Sequence, residues 1–456
     1  MEHYDLAVIG FGKAGKTLAG FYAGQGKKTA VIERDKKMYG GTCINVACIP
    51  TKALVFQAER AYLAGDSYKA RNAYYQASMQ FKDNLTGKLR DKNYHKLADS
   101  PLIKVYDGVG SFLDKNTLLI SAEGREERIS ADKILIDTGS RPLVPPIEGL
   151  KESKRAMVSE QMLEIRELPH HLLIIGGGYI GLEFASMYAA FGSKVTIIQD
   201  GMDFIPREDE DIAKAVYDSL TARGIEIIKG AKIYLVRDYK KESKVFYEQE
   251  GVKKNVSGDR ILVAVGRRPN VSDLHLEKAG VLLTDRGAIQ TDEHLVTSQS
   301  NIYAAGDAVG GLQFTYISLD DYRILASELA GDSSRTTLNR GNVPYSVFIS
   351  PCFSRVGLSE KEALAKGFKI KVGKIPAAVI PKAGILHDTT GLLKVIINAE
   401  DQTILGAHLF CEESYEIINL LKLAMDLKVP YTRLRDDIYT HPTMSEGLND
   451  LFASVK

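Results

Sequence analysis

The 456-residue sequence has no tryptophan and only four cysteines. So few cysteines exclude the disulfide framework of a secreted scaffold and make a reducing cytoplasm the expected location. Charge of one sign is missing too. With 59 Lys and Arg against 58 Asp and Glu, the net charge is +1, which leaves no electrostatic case for a nucleic-acid or anionic-membrane partner. No apolar run approaches the roughly 20 residues of a spanning helix. The first strand is expected to begin by Tyr4, leaving no room for a cleaved leader. What is present is ordinary globular composition, 45% hydrophobic and 26% charged, in a chain too long for one core. Three domains are expected.

Asp5-Leu6-Ala7-Val8-Ile9 is a short apolar run, followed directly by Gly10-Phe11-Gly12-Lys13-Ala14-Gly15. A helix is expected over Thr17–Tyr22, then a strand over Thr29–Ile32 ending in Glu33. Strand, glycine turn, helix, strand and acid in this order describe a dinucleotide fold. The glycines let backbone N–H groups approach a pyrophosphate, and Glu33 would accept from a ribose hydroxyl. A second unit follows: the strand Leu172–Ile175, then Gly176-Gly177-Gly178-Tyr179-Ile180-Gly181, a helix through Ala190 and the strand Lys194–Ile198. The offset that separates Gly10 from Glu33 lands here on Gln199. Gln199 with Asp200 matches neither the acid that favours NADH nor the arginines that favour NADPH; the reading leans to NADH. Between these units, two helices broken near Gly65-Asp66 are expected over Ala53–Ala98, and a small antiparallel sheet over Ile103–Ile120.

Cys43 and Cys48 lie in Gly40-Gly41-Thr42-Cys43-Ile44-Asn45-Val46-Ala47-Cys48-Ile49-Pro50-Thr51-Lys52. A metal knuckle needs closer spacing and a second pair. On a regular helix their Cα atoms would stand roughly 8–9 Å apart, too far for a disulfide unless the helix start is distorted. The residues alone leave two readings open, a readily reduced cystine or two inert buried thiols.

This stretch resembles the redox-active disulfide of the FAD-dependent pyridine nucleotide–disulfide oxidoreductases, with Ala47 where that family usually has Gly. The resemblance covers essentially the whole chain. It implies an α/β architecture: two Rossmann-like nucleotide-binding domains and a C-terminal α+β dimerisation domain. The expected divisions are 1–145 and 265–338 for the two parts of the FAD domain, 146–264 for the NAD(P) domain and 339–456 for the interface. By motif position, Gly10, Gly12, Gly15, Glu33, Gly41, Thr42, Lys52, Thr138, Gly139, Gly306 and Asp307 are assigned to FAD. Gly176, Gly178, Tyr179, Ile180, Gly181, Gln199 and Gly266 are assigned to NADH or NADPH.

The family's chemistry runs from nicotinamide through flavin to the disulfide. It implies Cys48 as the thiol nearest the flavin and Cys43 as the outer, interchange thiol. Lys52 and Glu183 match the ion pair beside the flavin, and Tyr179 the aromatic that covers it. In Tyr439-Thr440-His441-Pro442-Thr443-Met444-Ser445-Glu446, His441 and Glu446 match the acid–base dyad, which the family supplies from the other subunit of a homodimer. Met38-Tyr39-Gly40-Gly41-Thr42-Cys43-Ile44-Asn45, the stretch Gln313–Arg323 and His441–Phe452 resemble the reactive-chlorine-resistance branch, and the cysteine-free tail departs from mercuric reductases. That branch implies copper(II), or another soft metal ion, as acceptor, taken up transiently at Cys43 and Cys48. The alternatives are a dihydrolipoyl dehydrogenase-type enzyme, a mercury(II) reductase, or a flavin-bound redox sensor. Cys352 and Cys411 are expected to be packing residues.

Overall fold

The computed structural model describes every residue except 123. Parallel strands organise both nucleotide units. Leu6, Ala7 and Val8 are fully buried, as expected for a strand covered on both faces. The strand Glu2–Ile9 lies between Thr29–Glu33 and Arg125–Ile136, all parallel. Ile9 is level with both Ile32 and Ile136, so Gly10, Glu33 and Asp137 emerge together at one sheet edge. Ile302–Ala304 joins this sheet beside Ile134–Ile136 and delivers Gly306 and Asp307 to the same edge. In open α/β sheets this carboxyl edge is where nucleotides bind.

The second unit repeats the arrangement. Ile198, Ile175 and Val263 are level in a parallel sheet of five strands ordered Glu226–Ile228, Lys194–Ile198, His171–Ile175, Arg260–Val263, Ala156–Val158. A three-stranded antiparallel sheet over 232–258, absent from the sequence reading, flanks it. The C-terminal part is a five-stranded antiparallel sheet in which Ile404–Phe410 pairs with both Phe353–Gly357 and Leu392–Asn398. The helix Ser414–Asp426 packs on it.

The expected break near Gly65-Asp66 separates a short turn, Ala61–Ala64, from a 31-residue helix, Tyr68–Ala98. The small antiparallel sheet is only partly as expected. Val109–Phe112 and Thr117–Ala122 form a hairpin, but Ile103–Asp107 pairs parallel with Thr29–Glu33. Its alternating pattern is common to both kinds of pairing, so the sequence does not separate them.

Candidate active site

The redox stretch starts against the first glycine turn. Gly41 has φ +85°, and a Cβ there would sit 2.9 Å from Gly12 Cα. Only glycine brings the two backbones this close. From Gly41 the chain enters a short helix, Thr42–Val46, which stops at Ala47 (φ −138°, ψ −106°) before a second, Cys48–Ala58. The regular helix that would have separated the cysteines is therefore interrupted between them. Both are free thiols here and half-buried.

The two thiols are unequal. The hydrogen bond from Cys43 brings Cys48 down to about 6, against its burial, with Thr315 and the Lys52 ammonium assisting. Cys43 is pushed up by that same pairing and by burial. Cys48 Sγ lies 3.4 Å from Thr315 Oγ1. Lys52 Nζ is 2.6 Å from Glu183 Oε2 and 4.7 Å from the centre of the Phe348 ring, while Phe348 N–H donates to Glu183 Oε1 at 2.9 Å. The ammonium is thus held between the two nucleotide units by a residue of the C-terminal part.

Around these groups runs a cleft of about 1670 Å³. It is lined by Gly10, Gly12, Glu33, Gly41, Thr42, Thr138, Gly139, Gly306 and Asp307, together with Cys43, Cys48 and Lys52. Tyr179, Ile180 and Glu183 line it as well. Beneath the glycine turn, Asp137 Oδ2 accepts from Gly15 N at 2.6 Å. Glu33 accepts from Phe11 N at 3.0 Å and from Asp35 N at 3.1 Å, and burial raises its pKa. Asp307 accepts from Ser140, and burial raises its pKa too.

Two polar groups in the cleft wall, Thr138 Oγ1 and Arg141 Nε, are buried without a hydrogen-bond partner. Such groups are rare unless a ligand completes them. With the glycine turn and the acid at its edge, they fit an extended dinucleotide.

Not every predicted residue reaches this cleft. Gly176, Gly178 and Gly181 form the second turn, with Gln199 and Gly266 beside its strand ends, and none of these lines the wall. Gln199 is buried, and its amide donates to Gly201 O and Asp203 O, both at 2.9 Å. His441 Nδ1 lies 2.7 Å from Glu446 Oε2, but its side chain is 71% exposed and the pair stands away from Cys43 within one chain. Cys352 and Cys411 are buried, and burial raises both thiols. Thr315 and Phe348 were missed as contacts by sequence reading. Nothing local marks Phe348, which meets Glu183 only through the fold.

Residues 4–321 match the family pyridine nucleotide-disulphide oxidoreductase, and residues 343–452 match its dimerisation domain. The chain belongs to this family. Its members use FAD and NAD(P)H, so the protein is a flavin-dependent oxidoreductase of this class. It is 46% identical, over all of both chains, to the probable pyridine nucleotide-disulfide oxidoreductase RclA of Escherichia coli K12. A Staphylococcus aureus mercuric reductase is 33% identical over 98% of this chain and 81% of that protein. A Mycobacterium tuberculosis dihydrolipoyl dehydrogenase is 32% identical over 99% and 98%. The solved Cu(II) complex of the HOCl-induced flavoprotein disulfide reductase RclA from Escherichia coli superposes with a TM-score of 0.93, covering 99% of each chain at 46% identity.

Proposed function

We propose that this oxidoreductase passes electrons from NAD(P)H to the Cys43–Cys48 pair and on to copper(II). The observation that carries the reading is the unequal thiol pair beside the half-buried Lys52–Glu183 bridge. The likeness to a relative solved as a Cu(II) complex supports the acceptor. In this reading, 1–145 and 265–338 hold FAD, 146–264 receives NAD(P)H, and 339–456 pairs two subunits in the cytoplasm.

Bound FAD supplies the relay between nicotinamide and thiols. The protein's residues do the rest. Lys52, fixed by Glu183, favours negative charge on its side of the cleft. Cys48, brought down by Cys43 and Thr315, persists as thiolate at neutral pH. Cys43 is the outer thiol, and His441 of the second subunit, oriented by Glu446, takes its proton. The exposed apolar side chains Leu423, Leu427 and Ile438, the last 95% exposed, fit a surface that a second copy covers. In the metal step, the Cys48 thiolate and the Cys43 thiol give up two electrons as the S–S bond forms, and the one proton, from Cys43, passes to His441. Two copper(II) ions become copper(I).

The test is an anaerobic titration of the FAD-loaded protein with NADH, then copper(II). A long-wavelength absorption band that grows with NADH and vanishes on copper supports the reading. A band that persists with copper but discharges with lipoamide replaces it by a dithiol dehydrogenase, the second reading that the mycobacterial relative favours.

A further inference from the structure

Tyr179 is tied to more than the cleft. Its hydroxyl and that of Tyr345 both donate to one oxygen, Oε1 of Glu208, and the two hydroxyls are 3.1 Å apart. The other oxygen, Oε2, lies 3.3 Å from Arg355 Nη1 and 3.5 Å from His408 Nδ1. The Glu208 side chain has no exposed surface. Arg355 and His408 face each other on paired strands of the C-terminal sheet, and Arg355 also holds the Arg207 carbonyl at 2.7 Å. The carboxylate that meets Tyr179 is therefore fixed from the C-terminal sheet, while Tyr179 itself begins the helix after the second glycine turn.

We propose that Glu208 is a positioning residue that latches Tyr179 in its resting place over the cleft, so that nicotinamide gains access only by breaking the Tyr179–Glu208 hydrogen bond. This rests on the reading of Tyr179 as the cover of the flavin site. A bond to an ionised acceptor is among the stronger hydrogen bonds. It is also one that can open without stranding a charge, because Glu208 keeps Tyr345 and Arg355 when Tyr179 leaves. A brace built only from Tyr179 and Glu208 would leave a buried, unpaired carboxylate on opening, at a prohibitive cost. The closed position is favoured, and every nucleotide that binds gives up part of its affinity to displace it.

The experiment uses the FAD-loaded protein and reads the Kd of NAD⁺ by the change in flavin fluorescence, with kcat and KM for NADH alongside. Glu208→Gln weakens the latch. Glu208→Asp keeps the charge against Arg355 and His408 but draws it back from the tyrosines, and it stands in if the first variant does not fold. Each is expected to lower the Kd of NAD⁺ by about tenfold, with the change falling on KM rather than kcat. In a Tyr179→Phe background, which lacks the hydroxyl, the same substitutions are expected to change nothing further. An unchanged Kd in the parent protein, or an equal change in both backgrounds, overturns the latch. Tyr179→Ala separates the two readings. If it leaves the Kd unaltered, the cover itself fails and the latch with it. If it shifts the Kd while the Glu208 variants are inert, the cover stands and the latch falls.

Discussion

The glycine turns of the two nucleotide units share one cradle. A Cβ on Gly10 would come 2.3 Å from the Asp137 carbonyl oxygen, and one on Gly176 would come 2.5 Å from that of Ala264. Asp137 and Ala264 therefore occupy equivalent places, and there the units part. Under the first turn lies a fully buried carboxyl, which burial raises to about 8, with Asp321 and Asp307 adding to the effect and the bond from Gly15 opposing it. Under the second lies a methyl group. At the neighbouring strand end the contrast repeats. Glu33 receives two backbone N–H groups, whereas the Gln199 amide spends its donors on its own loop. Two turns with one spacing thus present different electrostatics, because what lies beneath a turn comes from a strand far away in sequence.

The largest effect that tests this contrast is steric. A Cβ on Gly12, the counterpart of Gly178, would come 2.5 Å from Asp137 Oδ2; Gly12→Ala is expected to cost about 2–3 kcal/mol and to yield protein without flavin. A methyl group on Gly178 would meet no atom within 4 Å, so Gly178→Ala is expected to keep its flavin and to raise only the KM for NADH. Flavin absorbance per chain reads both. Equal losses would break the comparison.

Asp137→Asn comes next. The folded carboxyl sits above the ordinary carboxylate range, so as pH rises the unfolded chain releases its proton first. The Asp137 contribution is therefore full below that ordinary range and is lost as pH climbs to about 8. The variant has no proton to lose. Its advantage in thermal or urea unfolding should widen across this window to about 2 kcal/mol or more and then level off. An advantage independent of pH would show that Asp137 is not the group responsible.

A smaller effect is expected from Gln199→Glu. It sets a carboxylate against the Gly201 and Asp203 carbonyls, and should cost about 1–2 kcal/mol without improving the NADH to NADPH ratio of kcat/KM. A clear rise in that ratio would mean that the loop opens to let the side chain reach ribose. The smallest effect belongs to Cys411→Ala. With its thiol buried and inert, copper(II)-dependent turnover should be unchanged; a large loss would make it a ligand.

Much of this was legible beforehand because it is local. Leu6–Ile9 before Gly10, and Leu172–Ile175 before Gly176, carry strand and turn in adjacent residues. Of the strand signals, Ile103–Asp107 misled, since alternation does not say whether the partner runs parallel. A bond between Cys43 and Cys48 would require a distorted helix start, and the helix is interrupted at Ala47 between them. Phe348 beneath Lys52, Thr315 beside Cys48 and Glu208 behind Tyr179 left no trace in sequence. Each lies more than twenty residues from what it touches, and no helical or strand period reaches so far.

The sequence by itself determined where the chain turns and which residues carry reactive atoms, because glycine geometry and thiol chemistry belong to the residues themselves. The tertiary structure alone decided how those atoms behave. Cys48 is brought down by Cys43, Thr315 and Lys52, and Asp137 is raised by burial among other carboxyls. Charge states depend on which groups share a small, poorly solvated space, and only folding assembles that space.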